Sequence, residues 1–240
     1  MLSDQQYTDG QYLEKNPSFH VEDSAWKAGN IAGLLKKNGF RPHRVAEVGC
    51  GAGEILRVLG ESLPADAELS GYDISPQAIG LARARESERL RFFNEDLLAL
   101  PAERPFDLLL CIDVFEHVDD YLGFLRRLRG YAGHFVFHIP LDLSVSAVLR
   151  GGTLSRTRDA SGHLHYFSKE TALATLRDAG YEVVDYQYTP GGLDLPRKLK
   201  TKLAWLPRKL MFHLHPDMGA RVFGGFSLLV LAKPAASPTA

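Results

Sequence analysis

The sequence predicts an α/β fold built on a doubly wound, seven-stranded and mostly parallel sheet. Three observations carry that expectation. Short apolar runs alternate with stretches of helical spacing from residue 44 to about 189, the pattern of strands joined by covering helices. The run Val45-Ala46-Glu47-Val48 passes directly into Gly49-Cys50-Gly51-Ala52-Gly53, after which Ile55, Leu56, Val58 and Leu59 recur at helical spacing. Acids stand just past the ends of successive strands, at Asp73, Asp96 and Asp113.

The elements follow in chain order. Ala25 to Lys37 has helical spacing and includes Trp26, with Tyr7, Tyr12 and Phe19 scattered ahead of it. Arg44 to Val48 is strand one, and its helix runs to about Ser62. Leu69 to Tyr72 is strand two, ending at Asp73. Ser75-Pro76 then opens a helix, a hydroxyl cap followed by proline at the first helical position, which continues to about Glu86. Leu90 to Phe93 is strand three, followed by Asn94-Glu95-Asp96-Leu97. Phe106 to Ile112 is nearly continuously apolar, as a central strand buried on both faces must be. Asp119 or Asp120 caps the next helix, which puts Tyr121, Phe124, Leu125 and Leu128 on one face. Phe135 to Ile139 is strand five. Ser168 caps a helix with Ala172, Leu173, Leu176 and Ala179 inward, ended by Gly180. Tyr181 to Tyr188 is strand six and Phe226 to Ala232 the last. No ordinary covering helix separates those two, which predicts an antiparallel hairpin at one edge.

Composition narrows the class. With 240 residues, 45% of them hydrophobic, the chain can bury a large single core. A formal net charge of -1 argues against a general nucleic-acid binder. Cys50 and Cys111 form neither a metal-ligand spacing nor a disulfide framework, and a reducing cytoplasm is the simplest home. MLSDQQYTDG has no apolar stretch of the signal-peptide kind, and no run approaches the 18 or so apolar residues of a membrane span.

Strand, glycine turn and helix together bring a ligand against bare backbone. Glycine permits positive φ and has no Cβ, and the N–H groups at a helix start favour an anionic group. A dinucleotide fold wants G-x-G-x-x-G; here Glu54 holds the third glycine's place and the extra glycine is Gly53. Glu47-Val48-Gly49-Cys50-Gly51-Ala52-Gly53 instead resembles motif I of the class I S-adenosylmethionine-dependent methyltransferases. Asp73 can accept both ribose hydroxyls, as an acid in a dinucleotide site also does. Ile74 is placed to pack on the adenine face, and Asp96 with Leu97 to meet the exocyclic amine. Cys111-Ile112-Asp113-Val114-Phe115-Glu116-His117-Val118 resembles motif IV, which puts Ile112 and Asp113 beside the methionine moiety. The resemblance covers residues 44–189 and 226–233. It implies S-adenosylmethionine as cofactor and the strand order 3-2-1-4-5-7-6. It also implies an N-terminal helical lid over 1–43 and a catalytic domain over 44–233 with insertions at about 140–167 and 189–225; the composition of the tail over 234–240 predicts disorder. Asn16-Pro17-Ser18-Phe19 has the composition of the DNA adenine methyltransferase motif, but no apolar strand precedes it.

A methyl group on a sulfonium already has an activated leaving group, so the protein must position, exclude water and, for some acceptors, take a proton. That chemistry requires no metal, and the sequence offers no metal constellation. The candidates for the proton are His117, just past strand four, and His163 and His165 in Gly162-His163-Leu164-His165-Tyr166-Phe167, with Tyr166 as an orienting partner. Similar segments stand before this helix in ubiquinone-pathway-like and other small-molecule methyltransferases. His138, inside strand five, is expected in the core. From Leu195 to His215 six basic residues occur with no acid, and Leu195, Leu199, Leu203, Leu206 and Leu210 share a helical face that Pro207 should kink or split. The favoured expectation is that these leucines pack on the sheet edge; a membrane surface or a lid over an anionic acceptor is the other. The resulting expectation is a small-molecule methyltransferase acting on oxygen, with nitrogen second. A nicotinamide oxidoreductase and a nucleotide-binding module without catalysis remain the alternatives.

Overall fold

The computed structural model describes residues 21–103, 105–195 and 205–236. Seven strands form one sheet: β1 (Arg44–Val48), β2 (Glu68–Tyr72), β3 (Leu90–Phe93), β4 (Phe106–Ile112), β5 (Ala132–Pro140), β6 (Tyr181–Thr189) and β7 (Ser227–Pro234). Their order is β3-β2-β1-β4-β5-β7-β6, as expected. The first five strands pair in parallel; β7 runs antiparallel to both β5 and β6.

Alternation along β4 explains why the sheet needs helices on both faces. Leu108, Leu110 and Ile112 join one apolar layer, with Ile31 and Leu34 of α1 (Val21–Lys37) and Leu56 and Leu59 of α2 (Glu54–Gly60). Leu109 and Cys111 join the other, with Phe135, Phe137 and Tyr181 and the inner faces of the helices Tyr121–Leu128 and Lys169–Asp178. Leu108, Leu109 and Leu110 are wholly inaccessible, so every side chain at this point of the strand is removed from water on one face or the other.

The capping signals act as the sequence predicts. The Ser75 hydroxyl accepts from Ala78 N–H, Asp120 rather than Asp119 accepts from Gly123 N–H, and Ser168 forms a reciprocal capping box with Thr171. The helix opened by Ser75 is shorter than expected: it ends at Ala82 and tightens into a 3₁₀ turn over Arg83–Arg85.

Two expectations are corrected. The stretch 140–167 is not a bare loop but holds the helices Val145–Leu149, capped by Ser144, and Thr153–Ser161, which lies between Gly152 and Gly162 in left-handed conformation. In the basic insertion, a helix spans Trp205–Leu214 and includes Pro207; the residues just before Trp205, on which the expected kink or split depends, lie outside the described residues. Leu206 and Leu210 do not pack on the sheet edge: they are 66% and 58% exposed. Arg208, by contrast, is buried and donates to the Phe223 carbonyl. The aromatics before residue 21, the Asn16 tetrapeptide, Arg197, Lys198, Leu199, Lys200, Lys202 and Leu203, and residues 237–240 lie outside the described residues.

Candidate active site

A cavity of about 560 Å³ opens at the carboxyl ends of β1, β2, β4 and β5, where open α/β sheets bind their ligands. Its floor is the glycine turn. Gly49, Gly51 and Gly53 all have positive φ, at 67°, 53° and 78°. A Cβ on Gly49 would stand 2.7 Å from Val114, so the close approach also demands glycine. The Tyr72 carbonyl accepts from both Gly49 and Cys50 N–H, at 2.8 and 3.1 Å. Asp73 completes the clasp: Oδ2 accepts from Gly51 N–H at 2.9 Å and Oδ1 from Ser75 N–H at 2.8 Å. Burial raises its pKa, against the two backbone hydrogen bonds. Ile74 lines the cavity next to it.

Glu47 also lines the cavity while only 1% exposed, and its Oε2 has no hydrogen-bond partner. Burial pushes its carboxyl well above the usual range. A cationic group brought beside it would restore the charge, and the ammonium of a methionine moiety is such a group. The Glu47 oxygen, the glycine turn and the Asp73 carboxylate thus fit S-adenosylmethionine. The start of α2 is less suited to a pyrophosphate, because Glu54 stands there, paired with Arg57 at 2.8 Å and Arg85 at 2.6 Å.

Asp113 differs from expectation. It has φ of 54°, the only non-glycine residue at positive φ among the described residues. Its Oδ1 meets His138 Nδ1 at 2.6 Å and its Oδ2 meets Lys27 Nζ at 2.8 Å. Burial opposes the charge on Asp113, but His138 and Lys27 hold its pKa far below the usual carboxylate range. Burial likewise opposes the charge on Lys27, and Asp113 and Asp23 reverse that to raise its pKa. Asp113 therefore lines the cavity beside Ile112 with both oxygens engaged. His138 is buried as expected, yet it also lines the cavity, its Nε2 meeting the Thr189 hydroxyl at 2.8 Å. The sequence reading missed Lys27, which joins α1 to the end of β4 across 86 positions and carries no local signal.

The expected acceptor residues divide. His117 and His163 line the cavity, with ring centroids 4.9 Å apart. His163 Nδ1 is held by Asp142 Oδ2 at 2.6 Å. Burial lowers the pKa of His117 to about 4, with His163 adding to the shift. His165 and Tyr166 lie outside the cavity wall: His165 Nε2 turns to the Val118 carbonyl at 2.9 Å, and the Tyr166 hydroxyl donates to the Leu154 carbonyl at 3.0 Å. Asp96 and Leu97 also lie outside it. Asp96 caps a short 3₁₀ turn through Leu98 N–H, and Leu97 is in the core. An Asp that closes its own turn gives the same sequence signal as one that meets a ligand. Against the expectation of no metal constellation, Glu116, His117 and His163 bring one donor atom each within 4.8 Å of one another.

Comparison with known proteins agrees with this geometry. Residues 23–186 match the methyltransferase domain family, and the chain belongs to it. The class is that of the S-adenosylmethionine-dependent, class I methyltransferases. The ubiquinone biosynthesis O-methyltransferase of Vibrio cholerae serotype O1 is 30% identical over 125 residues, 48% of this chain and 49% of that one. The chain spans about half the length of the curated relatives it matches. In fold it is similar to the methyltransferase solved in complex with the Haloferax volcanii Trm112 methyltransferase activator, with a TM-score of 0.67 at 19% identity over 98% of this chain and 99% of that one. It is also similar to magnesium protoporphyrin IX methyltransferase from Synechocystis PCC 6803 with bound S-adenosylhomocysteine, with a TM-score of 0.63 at 14% identity over 98% of each chain.

Proposed function

We propose that this protein transfers the methyl group of S-adenosylmethionine to a hydroxyl oxygen of a small-molecule acceptor. The observation that carries the proposal is the His163–Asp142 pair on the wall of the cavity that Glu47, Asp73 and the glycine turn also line. When bound, the cofactor supplies a methyl group already activated for displacement. Glu47 would hold its ammonium, Asp73 its ribose hydroxyls, and Ile74 and Ile112 its apolar faces.

Asp142 fixes the proton of His163 on Nδ1, which leaves the Nε2 lone pair to take a proton from the acceptor as methyl transfer proceeds. His117, with a pKa of about 4, stays neutral near pH 7 and is a weaker base, so its part is to shape the pocket beside His163. Helix α1 acts as the lid: Trp26 and Lys27 line the cavity, and Lys27 latches onto Asp113. Names among the relatives support an oxygen acceptor. Glu54 and its two arginines stand against a nicotinamide dinucleotide.

The test is a labelled-methyl assay of the purified chain against hydroxylated aromatics, hydroxy acids and amines, with the new bond identified by NMR. An O–CH₃ product is expected. His163→Ala should lower kcat by about 10²–10⁴-fold with S-adenosylhomocysteine affinity unchanged within a few-fold. An N–CH₃ product would replace oxygen by nitrogen as the acceptor. Calorimetric binding of NAD, with no binding of S-adenosylmethionine or S-adenosylhomocysteine, would end the methyl-transfer reading.

A further inference from the structure

Three side chains from two separate parts of the chain meet at one edge of the cavity. Glu116 and His117 come from the 3₁₀ turn after β4, and His163 from the extended segment that follows Gly162. Glu116 is wholly inaccessible, and neither carboxylate oxygen has a hydrogen-bond partner; His117 Nε2 stands 4.0 Å from Oε1. A buried carboxylate left in that condition is costly unless it is protonated or a cation meets it. The cluster is not a chance approach of mobile side chains. The Glu116 carbonyl accepts from both Leu164 and His165 N–H, at 2.8 and 3.1 Å, so the main chain fastens the His163 segment onto the turn that carries the other two residues.

The His163 imidazole is held from behind. Asp142 grips His163 at Nδ1, which directs the Nε2 lone pair away from that carboxylate. Metal-bound histidines are supported in this way, by a carboxylate or a carbonyl on the nitrogen that does not ligate.

We propose that Glu116, His117 and His163 form a binding site for a first-row divalent cation, zinc by preference, with a further coordination position open to the cavity. Two imidazole nitrogens and one carboxylate suit zinc, whereas magnesium and calcium take oxygen donors. Donors bound at about 2.0–2.2 Å in tetrahedral geometry stand roughly 3.4 Å apart, so around the ion His117 Nε2 and Glu116 Oε1, now 4.0 Å apart, have to close by about 0.6 Å and the widest pair of the cluster by up to about 1.4 Å. Three protein ligands leave a fourth position for water or substrate. The consequence for the reaction rests on the methyl-transfer reading. An acceptor hydroxyl in that position is acidified by the cation and loses its proton to solvent water. Its oxygen then forms the new bond to the methyl carbon as the C–S bond breaks and sulfur keeps the electron pair. In the zinc-loaded protein His163 Nε2 is a ligand, and the cation replaces it as the means of activating the hydroxyl.

The full chain, stripped with a chelator, is titrated calorimetrically with zinc chloride, and S-adenosylhomocysteine binding is measured in parallel. One zinc per chain is expected. His117→Ala and His163→Ala should each weaken zinc at least tenfold. Asp142→Asn, which removes only the support of His163, should weaken it about 10–100-fold. His213→Ala and His215→Ala, both at exposed positions, should leave it unchanged. Cobalt(II) should give a visible absorption spectrum that Glu116→Gln alters and His163→Ala abolishes. Asp142→Asn decides the matter if the alanine variants fail to fold. A chain that binds S-adenosylhomocysteine but not stoichiometric zinc overturns the proposal, as does zinc binding indifferent to the Asp142, His117 and His163 changes. Loss of S-adenosylhomocysteine binding in the unaltered chain would refute the methyl-transfer reading and leave the zinc result standing.

Discussion

Replacing Lys27 by Met should destabilise the protein by about 3 kcal/mol at pH 7. Lys27 and Asp113 side chains are 11% and 24% exposed and 2.8 Å apart, so this is a pair well removed from water. Breaking such a pair from one side costs about 3–5 kcal/mol, because the other charge stays behind. The lower end applies here, since Asp113 keeps His138 and is a quarter exposed. For a chain of this size, about 3 kcal/mol corresponds to a fall in Tm of roughly 6–12 °C. The pH dependence carries the sign. The folded-state pKa of Asp113 is depressed, so its contribution is complete above the unfolded carboxylate pKa of about 3.9 and is lost as pH falls toward the folded value. The folded-state pKa of Lys27 is raised, so its contribution is complete below about 10.4 and is lost as pH rises through the folded value. The difference between wild type and Lys27→Met should therefore be flat from about pH 5 to 9 and narrow below about pH 4. Urea denaturation across pH, with Asp113→Asn and the double variant completing a cycle, measures it; asparagine tolerates the left-handed backbone at this position. A Tm within 2 °C of wild type, with no coupling between the two substitutions, would refute the latch.

Other outcomes are open to direct measurement. Asp73→Ala should weaken S-adenosylhomocysteine by about 1–3 kcal/mol in calorimetry, roughly 5–150-fold, and an unchanged affinity would make Asp73 a turn residue only. Gly53→Ala should cost about 2–5 kcal/mol in denaturant unfolding, because φ is 78° and the new Cβ would stand 2.3 Å from the buried Phe92 ring. Ser168→Ala should cost about 1 kcal/mol by removing the capping box of Lys169–Asp178. The exposed leucines at 206, 210 and 214, with the basic residues that precede them in sequence, should float the chain with anionic vesicles at low salt and less at high salt; no flotation at low salt removes a membrane role.

What the sequence reveals here is mostly local. The glycine turn, Asp73 and the caps at Ser75 and Ser168 each act within a few residues of themselves, so pattern and mechanism coincide. The order of the sheet follows from alternation together with the family resemblance. The inward face of the site depends instead on meetings across the chain. Lys27 reaches Asp113 from a helix that reads as ordinarily amphipathic, and His138 looks like a core residue because it is one as well as a wall of the cavity. His163 and His165 are two positions apart and equal as sequence, yet two hydrogen bonds to the Glu116 carbonyl turn the segment so that only His163 lines the cavity. Asp96 illustrates the opposite error: a local cap can stand where a ligand residue is expected.

The pairing of β7 has a consequence for the order in which the molecule can be made. This strand follows the other six in sequence, yet it sits inside the sheet, between β5 and β6, and among the described residues β6 has no other neighbour. During synthesis the parallel strands and their helices can assemble as they emerge, but β6 must wait, with its backbone unpaired, until β7 arrives. Thr189, at the end of β6, holds His138, so the cavity wall is completed only once β7 has paired. A nascent chain paused before residue 227 would carry an assembled glycine turn beside an unfinished acceptor wall and an open strand edge. That late, non-local closure is a slow step and the period in which the chain is most exposed to aggregation.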